Sequence, residues 1–351
     1  MFVVLSSVPP LEAAAEDNMG KKRPDGVYID NINPYTKIMP HIMPHRYDAM
    51  NWCKVEVSCD GIDRFIAEQH KLGKRYSYYN VVMAALVRTF AMRPSLNRFV
   101  MNRKIYQHND ITASFAVKKI LKDNSEDTTV KVHFKGDETI DEVSKQMEEV
   151  IAANTGVKAY NSVDDTAKML TNAPHFMIKL VVKLLNWLDH HNMLPASLIE
   201  TSPFHNSFFI TFMKSIHGDY LYHHCYDFGT TSMFIGMGRE KETPVVENGE
   251  VKVGKVLTLG VVCDERFCDG LYYVNSMRLI KKLLMNPEQL LEPIDLTQYS
   301  SVNGIAKEGD KKRKLKKNKK DKKNKKDAKN VASDAETETQ AAATTVIKDE
   351  E

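Results

Sequence analysis

Val261-Val262-Cys263-Asp264-Glu265-Arg266-Phe267-Cys268-Asp269-Gly270 is the stretch on which the reading of this chain turns. An apolar run of strand length, Val256 to Cys263, leads into a compact charged turn. Beyond Gly270, Tyr273, Met277, Ile280 and Leu284 recur as a helical stripe, so strand, turn and closing helix follow one another without a linker.

The same alternation extends outward in both directions. Val82, Ala85, Leu86, Thr89 and Phe90 mark one helix, which Pro94 ends. Arg98 to Lys119 reads as strands around two turn-prone tripeptides, Met101-Asn102-Arg103 and His108-Asn109-Asp110. Thr128 to Phe134 alternates as a half-buried strand does. Ile140, Val143, Met147, Val150 and Ile151 form one face of an amphipathic helix, and two or three further helices are predicted within Ser162 to Ile199. Ser207–Met213 and Ser232–Met237 are apolar strand-length runs, and Glu247-Asn248-Gly249-Glu250 is a hairpin turn. From residue 23 to residue 300 the pattern predicts a single α/β domain, an α+β sandwich with a mixed sheet and flanking helices.

At 351 residues the chain is long enough for a sizeable core. Five cysteines without paired spacing, Cys53, Cys59, Cys225, Cys263 and Cys268, predict a reducing, cytoplasmic setting. Residues 1–22 read as a disordered leader. The run Phe2-Val3-Val4-Leu5 lacks a basic flank and is too short for a signal peptide, and Met19 is an alternative start to Met1. Phe176 to Leu188 is apolar over thirteen residues but carries Lys179 and Lys183. A bilayer span takes about 20 apolar residues, so a core or interface helix is predicted, with membrane-surface contact the other reading.

Residues 301–351 read as a disordered tail. From Gly304 onward there are fifteen Lys or Arg and ten Asp or Glu, so the basic balance belongs to the tail. Lys311 to Lys329 is Lys-rich and without aromatics; it is either a solvated segment or an electrostatic tether to nucleic acid or an anionic surface.

The turn resembles the active-site motif of the acyltransferase components of 2-oxo acid dehydrogenase complexes, Asp-His-Arg-x-x-Asp-Gly, and the His-His-x-x-x-Asp-Gly of chloramphenicol acetyltransferases. Asp264, Arg266, Asp269 and Gly270 match, and Glu265 stands where the base histidine belongs. The resemblance covers roughly Arg23 to Leu291, strongest at the motif. It implies a chloramphenicol acetyltransferase-like fold, a homotrimer with its channel between subunits, and acyl-CoA or an acyl-thioester carrier as donor to a thiol or hydroxyl acceptor. It also implies that a Ser or Thr on a neighbouring strand holds the oxyanion. Thr211, in Phe208-Phe209-Ile210-Thr211-Phe212 and 54 residues before Glu265, falls there; its other reading is an ordinary β-branched strand residue. The same resemblance makes Arg46, in Pro44-His45-Arg46-Tyr47-Asp48, the partner of Asp269, bracing the turn with Gly270, with Arg23 or Arg266 as substitutes.

Glutamate reaches as far as histidine but is a weaker base. Proton transfer from a thiol costs roughly 5–6 kcal/mol to a free carboxylate and about 3 kcal/mol to imidazole. Burial that raises the carboxyl pKa by about 2 units closes that gap. Glu265 is therefore either a surviving base or the relic of a lost one, and a non-catalytic trimeric binding or scaffold protein of the same fold is the alternative function. His205, His223 and His224 are candidate replacement bases or packing histidines; their spacing does not suit a metal, and none is expected. No stretch resembles a lipoyl attachment site, a Gly-rich nucleotide loop or a Gly-x-Ser-x-Gly elbow, so a freestanding acyltransferase domain is predicted, for which the resemblance implies coenzyme A as a substrate.

Overall fold

The computed structural model describes residues 23–118, 127–154 and 173–300. The predicted leader, the Lys-rich tail and the stretch 155–172 lie outside the described residues.

Ten strands and seven helices are needed to place the site. In chain order they are β1 Gly26–Tyr28, α1 Pro34–Ile42, β2 Met50–Ser58, α2 Asp60–Lys71, α3 Tyr78–Met92, β3 Arg98–Met101, β4 Lys104–His108, β5 Ile111–Lys118 and β6 Asp127–Phe134. There follow α4 Ile140–Asn154, α5 His175–His190, α6 Ala196–Thr201, β7 Phe208–Phe212, β8 Met233–Met237, β9 Lys241–Glu247, β10 Glu250–Asp264 and α7 Gly270–Met285. The compact unit ends at Leu296 and a second begins at Thr297.

The main sheet runs β2-β10-β8-β7-β5-β6, with β9 folded back on the first half of β10. It is mixed, as the sequence pattern predicts: β7 lies parallel to β5 and β8, and the other neighbours are antiparallel. A small sheet, β1-β4-β3, stands apart. The β9–β10 hairpin turns at Asn248 (φ 53°) and Gly249 (φ 85°), the left-handed pair that an Asn-Gly hairpin requires.

Period-2 alternation gives the sheet two apolar faces of unequal depth. Leu257, Leu259, Val261 and Cys263 of β10 join Ile235 of β8 and Ile210 of β7 in the main core. The helix α3 is buried on nearly every side, from Tyr78 to Phe90, and is capped by a reciprocal Ser77–Asn80 box.

The outer face carries a smaller cluster, in which Val262 and Phe234 pack with Cys225, Phe209 and Met50. There the loop between β7 and β8 crosses the strands. A Cβ at Gly236 would lie 2.3 Å from the Leu221 carbonyl oxygen, and one at Gly260 2.4 Å from it. Only a bare backbone lets the loop approach this closely.

Helix α5 corrects part of the sequence reading. It forms where predicted, yet of its residues only Asp189 is buried, so it is no core helix. Phe176, Leu180, Leu184 and Trp187 stand on one stripe with 50% or more of their surface exposed. Among the described residues no helix is long and apolar enough to cross a membrane.

Candidate active site

Strand β10 ends at Asp264, whose amide bonds to the Ser232 carbonyl across the β8 edge. The Asp264 side chain is fully buried. Arg266 grips it side-on, Nε to Oδ1 at 2.9 Å and Nη2 to Oδ2 at 2.7 Å, the fork geometry in which arginine binds carboxylate best. Its remaining Nη1 donates to the Met43 and Pro44 carbonyls. Arg46, only 1% exposed, approaches the same carboxylate, Nε to Oδ2 at 3.5 Å. It also donates to the carbonyls of Tyr226, Gly229 and Val100. Burial lowers the Arg46 pKa from its usual value and Asp264 partly opposes this.

This corrects the predicted brace. Arg46 pairs with Asp264 and not with Asp269. Asp269 instead caps α7, its Oδ1 accepting from the Tyr272 amide at 2.8 Å, and among the described residues it makes no ion pair. Arg23, the other candidate, is tied to Asp25 and Asp189. At Gly270 φ is not positive and a Cβ would meet no atom within 4 Å, so neither backbone conformation nor close packing in the single chain requires glycine there.

With Asp264 locked inward, the short 3-10 turn Glu265–Phe267 presents Glu265 to the outside. The Asn51 side-chain amide, from β2, donates to Glu265 Oε2 at 2.7 Å. The glutamate stands in a cleft of about 250 Å³, with Tyr35, Thr36 and Met39 of α1 across from Asn51, Glu265 and Cys268. Sequence reading did not find Asn51, since its role rests on a cross-strand register, Asn51 opposite Cys263.

Thr211 lies elsewhere on the sheet. Its register row is Thr211–Gly236–Gly260, whereas Glu265 follows five residues after Gly260. At about 3.3 Å per residue and about 4.8 Å per strand, roughly 19 Å separates the two within one chain. The Thr211 hydroxyl is buried and has no hydrogen-bond partner.

None of the three histidines lines the cleft. His205 is buried, bonded to Asp189 at 3.1 Å and to Ser202 Oγ at 2.7 Å, a packing role within the 189–205 region. His223 stacks on Phe234 with ring centroids 3.9 Å apart, on the sheet face that carries Phe209, and His224 stacks on His223. Among the described residues no three His, Cys, Asp or Glu gather as metal ligands would.

Comparison with known proteins follows the motif. Residues 230–292 match the family model of the 2-oxoacid dehydrogenases acyltransferase (catalytic domain). A stretch of 57 residues is 44% identical to the dihydrolipoyllysine-residue acetyltransferase component of the pyruvate dehydrogenase complex of Staphylococcus aureus. That match covers 16% of this chain and 13% of that relative, so the chain spans a small part of the curated relatives' length. Among solved structures, the cubic core of the pyruvate dehydrogenase multienzyme complex aligns with TM-score 0.47 and 12% identity, over 82% of this chain and 100% of that one. A chloramphenicol acetyltransferase aligns with TM-score 0.46 and 12% identity, over 74% and 99%. The resemblance carried by Asp264 to Gly270 is thus matched independently: residues 230–292 of this chain are similar to the catalytic domains of the 2-oxoacid dehydrogenase acyltransferases.

Proposed function

We propose that this protein is an acyltransferase, moving an acyl group from acyl-CoA or a related acyl thioester to a thiol or hydroxyl acceptor, with Glu265 in the seat of the base histidine. The observation that carries this reading is the buried Arg46–Asp264–Arg266 lock, which fixes the turn that holds Glu265 in the cleft. A carboxylate there accepts the proton of the acceptor, the acceptor attacks the thioester carbonyl, and the leaving thiol recovers the proton as the tetrahedral intermediate collapses.

Thr211 is the oxyanion donor in this proposal, supported by its unpartnered hydroxyl. Its separation from Glu265 within one chain means that a second copy supplies it, so the working unit is a homotrimer, as the family resemblance implies. The exposed apolar stripe of α5 is consistent with association.

One observation favours a second reading. In the single chain Glu265 is exposed, and its carboxylate already accepts a hydrogen bond from the Asn51 side-chain amide. A non-catalytic binding protein of the same fold would show these features too. Acetyl transfer from acetyl-CoA to dihydrolipoamide, alongside calorimetry with coenzyme A, separates the two. Turnover supports the acyltransferase; saturable coenzyme A binding without turnover supports the scaffold; neither sinks both.

A further inference from the structure

We propose that Cys268 is itself an acyl acceptor, so that the cleft forms an S-acyl-cysteine on this chain. The inference rests on the acyltransferase reading above and adds a covalent step to it.

Cys268 is half-buried and lies three residues from Glu265 in the wall of the same cleft. It has a thiol companion there. Cys263, 1% exposed at the end of β10, donates to the Asp264 carbonyl at 3.6 Å, and the neighbouring Cys268 together with burial pushes the Cys263 thiol well above its usual range. Cys263 therefore keeps its proton, which the Asp264 carbonyl accepts. Of the two, Cys268 is the one that substrate can reach.

An independent feature points to a ligand at this place. Tyr273 lines the cleft, is 8% exposed, and its hydroxyl is buried with no hydrogen-bond partner. Burial raises the phenol far above its ordinary range, so it remains a neutral O–H donor. Buried donors are rarely left unused, and an acyl carbonyl oxygen is an acceptor of the right kind. Gly270 adds room, because nothing stands within 4 Å of the position its missing Cβ would take. Cys268, Tyr273 and Gly270 thus supply a nucleophile, a donor and open space in one chain, where Thr211 is too distant to serve.

In the step, Cys268 gives its proton to the Glu265 carboxylate and its sulfur bonds to the thioester carbonyl carbon. Collapse of the tetrahedral adduct breaks the bond to the coenzyme A sulfur, which takes the proton back from Glu265. One thioester replaces another, with no oxidant or reductant. A thiol acceptor then removes the acyl group by the same route in reverse.

The test uses the full chain with acetyl-CoA, followed by intact-mass measurement and peptide mapping. One acetyl group is expected per chain, on the Cys268 peptide and released by neutral hydroxylamine. It should persist in Cys53→Ser and disappear in Cys268→Ser. Tyr273→Phe, which removes only the hydroxyl, should label at least tenfold more slowly, with circular dichroism confirming that each variant is folded. No label on the wild type, the same label in Cys268→Ser, or equal labelling of all cysteines as in urea-unfolded chain would overturn the proposal. Acetyl transfer to dihydrolipoamide at the wild-type rate by Cys268→Ser overturns the cysteine step and leaves the acyltransferase standing. A wild type that neither labels nor transfers removes both.

Discussion

Arg46 and Asp264, 218 residues apart in sequence, meet in the interior at 3.5 Å with side chains 2% and 0% exposed. Arg266 completes the group from the other side at 2.7 Å. Two guanidinium groups thus share one carboxylate, and the surplus positive charge is spread over backbone carbonyls from three separate segments, at Met43 and Pro44, at Val100, and at Tyr226 and Gly229. The motif's first aspartate is therefore a tether for the loops around the turn, and the residue next to it, Glu265, is left exposed in the cleft.

Removing that carboxylate should be costly. In Asp264→Asn both arginines stay buried without their counter-charge, a situation that costs about 3–5 kcal/mol. Thermal unfolding should fall by about 10 °C or more, whereas Asp269→Asn, which keeps a capping side chain, should shift it by no more than a few degrees.

Substitution at residue 265 should follow basicity. Glu265→Gln is expected to lower acetyl transfer to a thiol at least tenfold. Glu265→His should raise it by up to about 100-fold, because imidazole accepts the thiol proton at about 3 kcal/mol less cost. Steady-state rates with acetyl-CoA check both, and a Glu265→Gln enzyme indistinguishable from wild type would rule out the base.

Acid should weaken the fold through His108. Burial drops its pKa to about 4, and its Nε2 has no partner. The unfolded side chain titrates near 6.5, so between about pH 6.5 and 4 the unfolded state binds a proton that the folded state does not. Its contribution is whole above pH 6.5 and is lost as pH falls through 4, a change of about 3 kcal/mol. Urea unfolding across this range should show the slope, and His108→Gln should flatten it.

The crossing loop should report on Gly236. In Gly236→Ala the new methyl group would meet the Leu221 carbonyl oxygen at 2.3 Å, and since backbone must move, a loss of about 1–3 kcal/mol is expected. Gly249→Ala tests a different cause. No atom lies within 4 Å there, so any loss comes from the positive φ alone.

Association should depend on α5. If its apolar stripe is covered by other copies, Leu184→Glu or Trp187→Glu should lower the mass seen by light scattering while leaving the circular dichroism of the domain in place.

The sequence alone determined the elements. Apolar runs with period 2 became β7, β8 and β10, the helical stripe after Gly270 became α7, and Asn248-Gly249 became the hairpin, because each depends on backbone preferences and solvent exposure within a few residues. The motif was legible for the same reason: seven consecutive residues carry it. Tertiary structure alone decided who pairs with whom. Arg46 had two aspartates within the motif to choose from, and the choice fell to the one at the strand end, which is desolvated and needs a counter-charge, while Asp269 at a helix start is satisfied by an amide. The distance between Thr211 and Glu265, the exposure of α5 and the gathering of Cys263, Cys268 and Tyr273 around one cleft likewise follow from strand order and register. Those quantities are set by long-range packing, and no local preference encodes them.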